Sequence, residues 1–142
     1  MDPKRRAIYE FLFEDEEGYF CIATRNARTG VFSEKFFRYP EELDDALEHT
    51  QRLKITCDVW FCPQLFSHPR RKKEYAQLVT AAWGDLDDCH YDKMLIEPTI
   101  VFETSKDRYQ ALWRFVEPIH PTDAEDISRR IAYFHEAEGM DK

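Results

Sequence analysis

The stretch Thr80-Ala81-Ala82-Trp83-Gly84-Asp85-Leu86-Asp87-Asp88 constrains this chain more than any other. It is an apolar, strand-like run that delivers two aspartates, Asp85 and Asp87, two residues apart. Successive side chains of a strand alternate faces, so a strand running through Asp87 points both carboxylates the same way. Two like charges that close repel, and each raises the pKa of the other. A divalent cation removes the repulsion, and hard oxygen ligands at a strand end suit Mg²⁺ or Mn²⁺. Acidic pairs at strand ends also occur as plain solvated turns, and Asp-x-Asp alone does not separate the two readings.

The 142 residues fit one domain with one core, so a single domain spanning 1–142 is expected. Hydrophobic residues make up 43% and aromatics 15%, enough for a packed globule, so the 34% of charged residues describes a wet surface rather than disorder. No apolar run approaches the roughly 20 residues of a membrane helix. The basic start Met1-Asp2-Pro3-Lys4-Arg5-Arg6 has no apolar signal core behind it. A cytoplasmic location without a membrane partner is expected. The cysteines, Cys21, Cys57, Cys62 and Cys89, show no Cys-x-x-Cys spacing. Cys57 and Cys62 flank Val59-Trp60-Phe61, which marks them as small core residues rather than zinc ligands with Cys89 and His90.

A net charge of -8 argues against a uniformly basic nucleic-acid binder. The charges segregate, however. His68-Pro69-Arg70-Arg71-Lys72-Lys73 is densely basic, whereas acids concentrate at 14–17, 41–48 and 123–138. A positive face with acidic flanks and a solvated basic turn both fit this pattern.

Residues 1–17 read as a polar lead-in with a foothold at Phe11-Leu12-Phe13. Tyr19–Thr24 and Val31–Arg38 read as a β-hairpin with a long loop. Pro40 opens a helix bearing Leu43, Ala46 and Leu47, with Glu41 and Glu42 at its positive end. A strand is expected at Asp58–Phe61, a loop at Pro63–Pro69 and a short helix at Arg70–Gln77. The strand bearing Asp85 and Asp87 comes next, then a connection to Pro98 with a helical turn in it. Strands at Thr99–Glu103 and Tyr109–Val116 flank a polar turn. In the second, Tyr109, Ala111, Trp113 and Phe115 share one face, and Arg108, Gln110, Leu112 and Arg114 the other. Thr122 with Glu125 is a capping-box pattern for a helix on which Ile127, Ile131 and Phe134 recur. Gly139 is a helix stop after which another element is expected, so the chain reads as a fragment continuing past Lys142. The order of elements predicts an α+β fold with a mixed, largely antiparallel sheet packed with helices.

The turn Thr104-Ser105-Lys106-Asp107-Arg108-Tyr109-Gln110 gathers hydroxyl, cationic and amide groups shortly after the aspartates. Such a turn can bind phosphate, and it is equally ordinary hairpin chemistry. Together with Trp83-Gly84-Asp85-Leu86-Asp87, the segment Glu103–Arg114 resembles the archaeo-eukaryotic primase superfamily, in particular the primase-polymerase domains of plasmids, phages and helicase fusions. Asp58-Val59-Trp60-Phe61 followed by Arg70-Arg71-Lys72 is also similar to that group. The resemblance covers roughly residues 17–142. Gln110 stands where many members carry histidine. No Arg-Pro-Gly segment occurs before Lys142, Asp123 and Asp126 fit the third motif poorly, and the third metal-binding acid is expected beyond the chain.

The resemblance implies a DNA primase/polymerase, a nucleotidyltransferase using two divalent cations, Mg²⁺ or Mn²⁺, on Asp85 and Asp87. Ser105, Arg108 and Gln110 would contact the triphosphate of an incoming NTP or dNTP. Arg70, Arg71 and Lys72 would grip a single-stranded DNA template. Tyr109 could stack on a base, whereas Trp83 and Trp113 read as core. A replicative helicase domain or another C-terminal module is the implied partner. Two competing readings remain: a non-catalytic nucleic-acid- or partner-binding domain, and an Asp-x-Asp sugar-nucleotide transferase, whose usual parallel α/β start the initial hairpin does not resemble.

Overall fold

The computed structural model describes residues 3–141; Met1, Asp2 and Lys142, at the ends of the expected lead-in and tail, lie outside them. The fold is α+β, with three helices and two three-stranded antiparallel sheets among the described residues. The expected single sheet is thus divided in two. The chain partitions into two compact units, Met1–Gln77 and Leu78–Lys142.

In the first unit, α1 (Pro3–Phe13) precedes β1 (Gly18–Asn26), β2 (Phe32–Tyr39), α2 (Leu43–Leu53) and β3 (Cys57–Phe61). The sheet order is β2-β1-β3. The expected polar lead-in is a helix instead. Tyr9, Leu12 and Phe13 fall on one side at helical spacing, and all three are buried. Tyr9 and Phe13 meet Phe20 at ring-centroid distances of 5.1 and 5.6 Å, so three large buried side chains anchor an otherwise charged helix. The hairpin forms as expected, Gly18 pairing with Tyr39 and Arg25 with Phe32. Asn26 shapes its loop by accepting the Arg28 and Thr29 backbone N–H groups, both at 2.9 Å.

Helix α2 starts at Leu43, not Pro40. The Tyr39–Pro40 peptide is cis, and Pro40 belongs to the turn before the helix. Asp44 and Asp45 take the first-turn positions expected of Glu41 and Glu42, while Leu43, Ala46 and Leu47 are buried as the spacing predicts. The helix expected at 70–77 reduces to a single 3₁₀ turn, Lys73–Tyr75. Its backbone is committed elsewhere. Gln77 N–H donates to Leu65 O at 3.0 Å and Ser67 N–H to Tyr75 O at 2.8 Å, which folds 65–77 back on itself as an extended loop.

In the second unit, β4 (Val79–Asp85), β5 (Ile100–Ser105) and β6 (Arg108–Ile119) form a sheet of order β4-β6-β5, followed by α3 (Pro121–Phe134). The apolar face predicted for β6 is borne out. Ala111 and Trp113 join Ala82, Leu86, Cys89, Met94, Ala132 and Met140 in one core, with Tyr109 and Phe115 packed against it. The strand runs past Pro118 to Ile119, where the pairing with β4 shifts register.

Helix α3 is capped by His120, whose Nδ1 accepts the Thr122 N–H at 3.2 Å, with Pro121 in the first turn. Thr122 is therefore inside the helix and not its cap. The buried residues are Ala124 and Ala132, whereas Ile127 and Phe134, expected on the core side, are exposed. Small residues let the helix lie close to β4, where Ser128 Oγ accepts the Trp83 N–H at 3.2 Å and satisfies part of the sheet edge.

Candidate functional site: an acidic cluster on a strand end

Strand β4 ends at Asp85 rather than running through Asp87. Leu86 turns inward and is fully buried, its N–H donating to Tyr109 O at 2.9 Å. Asp87 then adopts φ 47°, in the left-handed region that aspartate tolerates better than most residues. The two carboxylates converge because the chain turns between them, not because a strand alternates.

The third member of the cluster is Asp141. A carboxylate oxygen from each of Asp85, Asp87 and Asp141 lies within 4.8 Å of the others. The third acid was expected beyond the chain. What brings Asp141 back is the stop signal at Gly139, which holds φ 99° and reverses the chain. Met140 is then buried, and the Asp141 N–H donates to Asp85 O at 3.1 Å. One further main-chain bond, Asp88 N–H to Gly139 O at 3.3 Å, ties the same two segments. Gly84 makes room for this arrangement. A Cβ there would collide with Met140 Cε and come within 3.2 Å of the Trp113 ring.

Burial raises the pKa of Asp85 above the ordinary carboxyl range, and the neighbouring charge of Asp87, then that of Asp141, add to it. A carboxyl raised in the folded state favours folding while protonated. That contribution is complete below the unfolded carboxyl pKa of about 3.9 and is lost as pH rises through the higher folded value. At neutral pH the ionised Asp85 therefore weighs against the fold. Asp85→Asn is expected to raise the thermal midpoint by a few degrees at neutral pH, with the gain shrinking as pH falls towards about 4. Melting curves at both pH values check this, and a gain independent of pH would assign it to something other than charge.

The expected phosphate-contacting residues gather around the same strand end. Gln110 is the direct cross-strand partner of Asp85. Ser105 pairs with Arg108 across a two-residue turn, Lys106-Asp107, in which Asp107 takes φ 61°. Arg108 Nη1 donates to Asp87 Oδ1 at 3.1 Å, and Nη2 lies 3.7 Å from Asp88 Oδ1. Arg108 is thus already paired with the cluster. The pairing is solvent-exposed and contributes little to stability, so it is easily exchanged. Tyr109 packs edge-on against Tyr91 and His90, at centroid distances of 5.1 and 5.5 Å. Trp113 is buried as expected, with Nε1 donating to Ile96 O at 2.9 Å.

Arg70, Arg71 and Lys72 belong to the first unit and are exposed. Arg71 is engaged there, donating to Glu34 Oε2 at 2.7 Å. Cys57 and Cys62 also lie in the first unit, Cys89 and His90 in the second. His90 Nδ1 faces Asp92 at 2.8 Å, while Cys89 lies beside His135 and Glu138.

Three carboxylates this close could hold a hard cation, and exposed acidic groups also cluster in this way without one. No helix of the described residues is long and apolar enough to cross a membrane. No family model, curated protein or solved structure matches the chain.

Proposed function

We propose that the chain is a DNA primase/polymerase domain, a nucleotidyltransferase of the archaeo-eukaryotic primase type with that family's catalytic core, acting in the replication of a plasmid, phage or similar element. The observation that carries this reading is the convergence of Asp85, Asp87 and Asp141 next to Gln110 and Arg108. It brings the two sequence motifs behind the resemblance to one strand end and supplies a third acid from within the chain. Mg²⁺ or Mn²⁺ held by the three carboxylates would supply Lewis-acid stabilisation of the attacking and leaving oxygens.

The protein's own groups do the rest. Arg108, on exchanging Asp87 and Asp88 for phosphate, offers a fork that matches phosphate oxygens. Ser105, its hairpin partner, and Gln110, beside Asp85, add neutral hydrogen bonds that orient the triphosphate of an NTP or dNTP. Arg70, Arg71 and Lys72 contribute charge for the phosphates of a single-stranded DNA template. A helicase domain or other module is the partner that the resemblance suggests, and the cytoplasm the compartment. The antiparallel pairing of β4 favours this reading over a sugar-nucleotide transferase built on a parallel sheet.

Thermal melting of the full chain with Mn²⁺ and dATP, separately and together, tests the proposal. The expected result is a shift with both that exceeds the sum of each alone, corresponding to about 2.7 kcal/mol at a hundredfold excess over Kd. Nucleotide binding indifferent to the metal would leave the non-catalytic reading in its place.

A further inference from the structure

A second group of ligating side chains lies in the same unit and has no part in the nucleotide reading. Cys89, His135 and Glu138 each present one ligand atom within 4.8 Å of the other two. Cys89 and His135 are buried, and Glu138 reaches solvent. The set is sulfur, nitrogen and oxygen, unlike the all-oxygen set of the aspartates. Borderline-soft cations take S/N/O sets, whereas Mg²⁺ does not. We propose that Cys89, His135 and Glu138 form a site for zinc or a zinc-like divalent cation, with three protein ligands and a solvent-facing fourth position.

The present hydrogen bonds define what the cation would replace. Leu95 N–H donates to His135 Nε2 at 3.3 Å, which assigns the ring proton to Nδ1, and Nδ1 lies 2.9 Å from Glu138 Oε1. Nδ1 and the Glu138 carboxylate therefore already face each other across a proton. Zinc takes that position. The ring proton moves to Nε2, the Leu95 hydrogen bond is given up, and the Cys89 thiol proton goes to solvent. One buried hydrogen bond is lost, and bonds from three protein ligands to the metal take its place. The exchange favours the metal.

The position of these ligands gives the site a consequence. Cys89 follows Asp87 by two residues, and Glu138 precedes Asp141 by three. A cation there would clamp together the two segments that also carry the acidic cluster, alongside the Asp88–Gly139 and Asp141–Asp85 main-chain bonds.

The test is Zn²⁺ competition against a chromophoric chelator and Co²⁺ titration of the full chain, read by the thiolate-to-cobalt charge-transfer band. The wild-type chain is expected to bind one equivalent and to show the band. Cys89→Ala should lose the band and weaken zinc binding by more than about 100-fold, the upper end for losing even an outer-shell partner. Glu138→Gln, an exposed change that spares the core, should weaken it at least tenfold. Cys57→Ala and the Asp85→Asn/Asp87→Asn pair should retain both band and affinity, which separates this site from the nucleotide reading. Absence of stoichiometric zinc binding by the wild-type chain overturns the proposal, as does zinc binding unchanged in Cys89→Ala and Glu138→Gln; His135 and Glu138 are then a hydrogen-bonded clasp only.

Discussion

Replacing Asp85 and Asp87 together by alanine is expected to abolish metal-dependent DNA synthesis by the full chain while leaving its fold intact. Asp141→Asn is expected to lower the rate by roughly 10³-fold or more, since charge stabilisation by a metal amounts to several kcal/mol and each 1.36 kcal/mol is tenfold. Both variants should fold. The three carboxylates repel one another in the absence of a cation, and the Asp141 N–H bond to Asp85 O belongs to the main chain and survives the side-chain change. Primer extension with Mg²⁺ or Mn²⁺ measures the effect. Synthesis at the wild-type rate by Asp141→Asn would remove that residue from the site; the same result for the alanine pair would remove the site itself.

Gly84→Ala is the second change with a large expected effect. The added methyl occupies the space of Met140 Cε, and Trp113 closes the other side, so the methionine must leave its seat. Overpacking of this kind costs about 1–3 kcal/mol. Met140→Ala empties the same seat and costs about 2–5 kcal/mol. The two changes act on one volume and should not add. In the double variant the alanine at 84 fills part of the hole left at 140, giving a coupling of about 1 kcal/mol or more by urea denaturation. Each single variant should also lose metal-induced stabilisation, because Met140 is what delivers Asp141. Additive energies would show that the two residues do not share the space.

Periodicity carried much of this architecture. The strands expected at 19–24, 31–38, 58–61 and 99–103 and the face of β6 shared by Tyr109, Ala111, Trp113 and Phe115 were legible, because alternation reports burial directly. Helix α1 was not, since only Tyr9, Leu12 and Phe13 mark its buried side and charged residues surround them. The face of α3 was misread because size was taken for burial. Alanines and Ser128 lie against the sheet and Ile131 packs on the core as expected, but the larger Ile127 and Phe134 face out. The pairing of Asp85 with Asp87 was legible, but the left-handed turn that creates it was not, as nothing in Asp-Leu-Asp announces φ 47° at Asp87. Asp141 escaped because its membership depends on a tertiary fit, Met140 against Gly84, that no local pattern encodes.

The main-chain bond from Asp141 to Asp85 spans almost the whole second unit in sequence. A cation bound by these aspartates can therefore meet all three only after the sheet and α3 have assembled and the chain has returned. Partly folded forms hold at most the Asp85–Asp87 half, with correspondingly weaker affinity. Metal uptake would then act as a late checkpoint, reporting completion of the unit rather than guiding its early steps.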